Sequence, residues 1–111
     1  MAEQTFAKQR HAVASVKWLP EALIDIERLY TFLNGKSPEA AAKAAAIILK
    51  GATLLKTTPR IGRPMPDETG RRELFMSFQA GGYVLRYMQE DEHTVVVIRV
   101  WHSREDRRTP E

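Results

Sequence analysis

The residues best placed to do chemistry in this 111-residue chain gather near its C-terminal end, where Trp101-His102-Ser103-Arg104 sets a histidine and an arginine two positions apart. On an extended segment, residues two apart project to the same side. An imidazole and a guanidinium so placed can transfer a proton and stabilise a phosphorane-like charge, as RNA cleavage requires. The plainer alternative has His102 closing a sheet edge and Arg104 pairing with a surface acid. Arg107 and Arg108 follow closely and extend the basic cluster.

Other chemistries find little support. The remaining histidines, His11 and His93, form no pair at metal-ligand spacing with each other or with His102. The absence of cysteine excludes a disulfide framework, a thiolate zinc site and a cysteine nucleophile. No Ser/His/Asp ordering, paired carboxylates or nucleotide-binding glycine loop stands out, so no metal and no cofactor is expected. Gly81-Gly82-Tyr83-Val84 reads as a hairpin turn, not a phosphate cradle. The net charge of +3 lies wholly in residues 1–56, with eight Lys/Arg against five Asp/Glu. Residues 57–111 balance nine Arg against nine acids and contain no Lys. Guanidinium groups there suit carboxylates and planar anions, but the totals are a weak nucleic-acid signature, and no direct sequence-specific nucleic-acid binding is expected. No apolar run approaches a membrane span and the first residues lack a secretory stretch, so a cytoplasmic location is expected.

These residues need elements to position them. Ala12–Trp18 reads as a short strand. Leu19-Pro20 opens a helix whose early acids, Glu21, Asp25 and Glu27, suit its dipole. Its apolar stripe is Ala22, Ile26, Leu29 and Leu33, widened by Leu23 and Tyr30, and Asn34-Gly35 ends it. Ser37 caps a second, Ala-rich helix to Lys56, with Ala41, Ala45, Ile48, Ala52 and Leu55 on one face. The small residues allow close approach in a helical hairpin. Pro59–Gly70 is an irregular loop, and Arg72–Phe78, Tyr83–Met88 and Thr94–Trp101 are strands of a meander. The expected fold is α+β, in the order β-α-α-β-β-β, with the hairpin on an antiparallel four-stranded sheet. Residues 13–107 form the domain, with a flexible extension at 1–12 and a tail at 108–111.

Strict alternation gives this sheet two apolar faces. One gathers Leu74, Met76, Phe78, Tyr83, Leu85, Tyr87, Val95, Val97 and Trp101, and the other Phe75, Val84, Met88, Val96, Ile98 and Val100. Two adjacent helices cover one side, which leaves apolar surface for a partner helix or an extended peptide. Homodimerisation, or a sheet twisted enough for the helices to wrap it, would serve equally. A single bulge would change the sorting. Strand-borne Arg86 and Arg99 need a partner or the sheet rim, and suit an acidic partner residue better than catalysis. The residues expected to meet a partner are therefore Arg86, Arg99, Leu74, Met76, Tyr83, Leu85, Tyr87 and Trp101.

WLPEALIDIERLYTFL (Trp18–Leu33), TPRIGRPMP (Thr58–Pro66), GRREL (Gly70–Leu74), GGYVLRY (Gly81–Tyr87) and VVIRVWHSRED (Val96–Asp106) together resemble the ParE/RelE toxin superfamily, in collinear order over about residues 13–107. No single segment is specific; their order and spacing carry the likeness. The resemblance implies a toxin of a type II toxin–antitoxin system, wrapped and neutralised by the C-terminal segment of a cognate ParD-like antitoxin. The ParE-like branch inhibits DNA gyrase and needs no nuclease site; the RelE-like branch cleaves messenger RNA on the ribosome. The nuclease branch uses lysines on the middle strands, whereas this chain has none after Lys56. It uses an arginine directly after the Gly-Tyr of the third strand, where Val84 stands, and a tyrosine of a following helix that is not matched. Arg104 does match a basic residue after the last strand. The resemblance thus implies a gyrase inhibitor that is not itself an enzyme, and the C-terminal cluster of His102, Arg104, Arg107 and Arg108 supplies the expected toxicity residues. A ribosome-dependent nuclease and a non-toxic RNA- or protein-binding module are the alternatives.

Overall fold

The computed structural model describes residues 13–105. Strand β1 (Ser15–Trp18) leads into helices α1 (Pro20–Asn34) and α2 (Pro38–Thr57), followed by β2 (Arg63–Pro64), β3 (Arg71–Phe78), β4 (Gly81–Asp91) and β5 (Thr94–His102). Both helices begin on a proline in the first turn, where its missing N–H costs nothing. The Ser37 hydroxyl accepts the Ala40 N–H at 3.2 Å and caps α2. Ala22 and Leu29 of α1 and Ala41, Ile48, Ala52 and Leu55 of α2 are buried as their spacing predicts. Leu23 and Tyr30 are exposed and do not widen the stripe. Gly51 brings α2 so close to the sheet that a Cβ there would lie 2.1 Å from Met76 Sδ.

The sheet has five strands in the order β1-β5-β4-β3-β2 and is mixed, which corrects the antiparallel four-stranded expectation. Tight turns force antiparallel pairing only along β3-β4-β5. No tight turn joins β1 to another strand, and it pairs parallel to β5, Ser15 opposite Thr94 and Trp18 opposite Val97. The proline-rich loop is more ordered than expected. Its Arg63–Pro64 pairs with Glu73 and Arg72 at the sheet edge, a position that tolerates proline. Gly62 N–H donates to the buried Tyr87 hydroxyl at 2.8 Å, and the Arg72 guanidinium donates to the Gly62 carbonyl at 2.7 Å.

Gly81 and Gly82 belong to β4, not to the turn, which is Gln79-Ala80 with Gln79 in the left-handed region at φ 54°. Glycine is required at position 82, because a Cβ there would meet the Met76 carbonyl oxygen at 2.4 Å and the Phe75 ring at 2.6 Å.

A bulge in β5 decides which side chains share a face. Arg86 pairs with Arg99 but Tyr87 with Val97, so Ile98 is an extra residue. Val95 and Val97 point to the helices, and so do Val100 and His102. Trp101 is thereby turned to the opposite face, beside Val84, reversing the places that strict alternation gave Val100 and Trp101. Met76, Tyr83, Leu85, Tyr87, Val95, Val97 and Val100 pack with the helices in one core. Among the described residues, no helix is long and apolar enough to cross a membrane.

Candidate functional site

The last turns of α1, the β3–β4 turn and the end of β5 enclose an open cleft of about 550 Å³. Leu29, Phe32 and Leu33 of α1, with Phe78 and Tyr83 of the sheet, form apolar walls, and Arg28, His102, Arg104 and Glu105 supply polar groups. His102 reaches this cleft because the bulge at Ile98 turns it toward the helices. Its ring meets Tyr83 edge-on at 5.3 Å.

The expected pair, His102 and Arg104, is therefore brought together, through the backbone of Arg104 rather than its guanidinium. Nδ1 of His102 accepts the backbone N–H of Arg104 at 3.1 Å. In a neutral ring that bond places the proton on Nε2. The Arg104 guanidinium donates to the Ala80 carbonyl at 3.2 Å and is otherwise exposed. Arg107 and Arg108 lie outside the described residues.

Asp25, one of the acids expected to suit the dipole of the first helix, is buried, at 2% exposed. It accepts the Val100 N–H at 2.8 Å, Arg99 Nε at 2.7 Å and Nη2 at 3.0 Å, and Arg28 Nη2 at 3.1 Å. Burial pushes its carboxyl upward, but the bonds from Arg99, Val100 and Arg28 outweigh this and hold it below the ordinary carboxylate value. Arg28 also pairs with Glu105, whose other oxygen accepts the His102 N–H at 3.0 Å. Burial, assisted by the Glu105 charge, pushes the Tyr83 hydroxyl up. Asp25, Arg28, Glu105 and Phe32 were all missed in the sequence. The available signal was an acid at position 25, between Ala22 and Leu29 on the buried side of α1, with an arginine one turn later.

The eight residues expected to meet a partner all have contacts within the chain. Met76, Tyr83, Leu85 and Tyr87 are buried beneath the helices, and Leu74 packs against the same core. Trp101, on the open face, is 4% exposed because the guanidinium carbons of Arg86 and Arg99 lie 4.6 and 5.1 Å from its ring centroid. Both arginines have acidic partners within the chain, Arg86 with Glu73 at 2.6 Å and Arg99 with Asp25. The uncovered apolar sheet face is thus mostly closed by the chain's own side chains. Among the described residues, the exposed large apolar groups of the regular elements lie on the helices, at Leu23, Ile24, Tyr30, Phe32, Leu49 and Leu54, and on the sheet at Phe75 alone.

Residues 16–107 match the family described as "ParE toxin of type II toxin-antitoxin system, parDE". The chain belongs to the ParE toxin family. It is 38% identical over 93 residues to Toxin RelE3 of Caulobacter vibrioides, a match covering 84% of this chain and 98% of that protein. It is 32% identical over 83 residues to Toxin RelE1 of the same organism, covering 75% and 86%. Its fold is similar to a chain of the structure titled "Chromosomal ParDE TA system from P. aeruginosa", with a TM-score of 0.64 and 21% identity over 81% of this chain and 96% of that one. The protein is thus a toxin component of the type II toxin–antitoxin class in the ParE/RelE superfamily.

Proposed function

We propose that this ParE-family toxin arrests growth by binding DNA gyrase, is not itself a nuclease, and is held inactive by a cognate ParD-like antitoxin. The observation that carries the non-enzymatic reading is the state of His102. Its Nδ1 is occupied by the Arg104 N–H, and the cleft around it is walled by apolar side chains. Such a cleft suits a bound polypeptide better than proton transfer on RNA. The absence of lysine from the sheet strands that follow α2 and the presence of Val84 after Gly82-Tyr83 support the same choice. His102 and Arg104 are the target contacts of this reading, with Arg107 and Arg108 continuing the basic segment. Antitoxin contact falls to the exposed apolar residues of α1 and α2, since Arg86, Arg99 and the inner sheet residues have partners inside the fold.

Two curated relatives named as RelE toxins favour a second reading, ribosome-dependent cleavage of messenger RNA. Purified protein added to gyrase and supercoiled plasmid distinguishes the two. Gyrase inhibition, read as trapped cleaved plasmid or lost supercoiling, with intact messenger in a translation extract is the expected result. Messenger cut at the ribosomal A site with untouched gyrase would establish the second reading in its place. A chain that does neither and leaves growth unaffected would be a plain binding module.

A further inference from the structure

Arg104 stands on a short turn after β5 that is held by its own bonds, by β4 through the Ser103 N–H to the Gly82 carbonyl at 2.8 Å, and by α1. Within the turn, Glu105 N–H donates to the His102 carbonyl at 3.0 Å, and Glu105 Oε1 accepts the His102 N–H at 3.0 Å. The second oxygen of the same carboxylate pairs with Arg28 Nη1 on α1. Arg28 turns its other amino group to Asp25 at 3.1 Å and toward the Val100 carbonyl at 3.4 Å. Asp25, buried, also takes the Val100 N–H. A continuous chain of charge-assisted bonds therefore runs from the α1–β5 contact to the residue next to Arg104.

An isolated pair as exposed as Arg28 and Glu105 would contribute little to stability. Here the pair is one link among several, and its outer end grips the turn that presents Arg104 rather than another helix. We propose that Asp25, Arg28 and Glu105 are positioning residues for toxicity, fixing the 102–105 turn so that the Arg104 guanidinium is held at the cleft mouth. This rests on Arg104 being a target contact, as proposed above, but not on which target it meets.

The test is a double-mutant cycle read by growth arrest, which is blind to the target. Arg28→Gln, Arg104→Ala and the double variant are expressed from a titratable promoter, and the protein level that halves the growth rate is measured. Arg104→Ala is expected to raise that level about tenfold, the usual scale for a charge-assisted contact. Arg28→Gln should raise it comparably with its melting temperature nearly unchanged, and the double variant should be no worse than Arg104→Ala alone. Glu105→Gln should behave as Arg28→Gln does, and it decides the matter if Arg28→Gln fails to fold. Unchanged toxicity in the Arg28 and Glu105 variants, or losses that multiply with that of Arg104→Ala, overturns the positioning role alone. Full toxicity of Arg104→Ala, or a wild-type chain that arrests nothing, removes the site reading and this proposal together.

Discussion

The two faces of the sheet solve the same problem by different means. The helix-covered face buries Leu85, Tyr87, Val95, Val97 and Val100 completely, as an ordinary close-packed core. The open face has no helix, yet Trp101 is nearly as well hidden, under two arginine side chains whose charged ends are tied to Glu73 and Asp25. Arginine combines an aliphatic stem with a planar cation that stacks on aromatic rings, so it can roof an apolar residue while remaining paired. Arg86 and Arg99 face each other across the strands, a repulsive arrangement unless each has its own acid. An apolar strand face is therefore not by itself a request for a partner. On this toxin, exposed apolar surface is found chiefly on the helices.

The sharpest way to break this comparison is Asp25→Ala, because Asp25 serves both faces. It should destabilise the fold by about 3–5 kcal/mol in urea unfolding, since Arg99 and the Val100 N–H lose their partner together. Leu85→Ala, a cavity beneath the helices, should cost about 3 kcal/mol in the same assay. Acid unfolding isolates the carboxylate. Its folded value lies below the ordinary 3.8, so its contribution is present above that pH and is lost as pH falls through the lower folded value. The stability of wild type should fall more steeply than that of Asp25→Asn over that acid range, and equal slopes would contradict it. Arg86→Ala should cost about 1 kcal/mol and shift tryptophan emission to the red as Trp101 loses one cover. Smallest is Phe75→Ser, at a side chain 56% exposed, which should stay within about 0.5 kcal/mol.

Much of the architecture was legible because its determinants are local. Pro20, Ser37 and Pro38 mark the helix starts, the apolar spacing of α1 and α2 marks their buried sides, and short connections join β3, β4 and β5. The direction of β1 was not, because it pairs with a strand about 80 residues away with no turn to dictate register. The bulge was also hidden. Thr94–His102 contains no glycine or proline to announce an extra residue, and the one-residue shift at Ile98 exchanged the faces of Trp101 and Val100. That shift is also what turns His102 into the cleft. The His102–Arg104 pair was visible as a motif, whereas its tether to Asp25 through Arg28 and Glu105 depends on a contact between residues far apart in the chain.

The carboxylate of Asp25 has one more consequence. β1 ends opposite Val97, so the final residues of β5 would otherwise offer a bare row of donors and acceptors along the sheet margin. Such margins template the addition of foreign strands and seed aggregates. A side chain from α1 already occupies the Val100 amide, and Arg28 reaches its carbonyl, so that stretch is stoppered from within. The end of β5 beyond β1 is thus shut by a helix rather than by another strand.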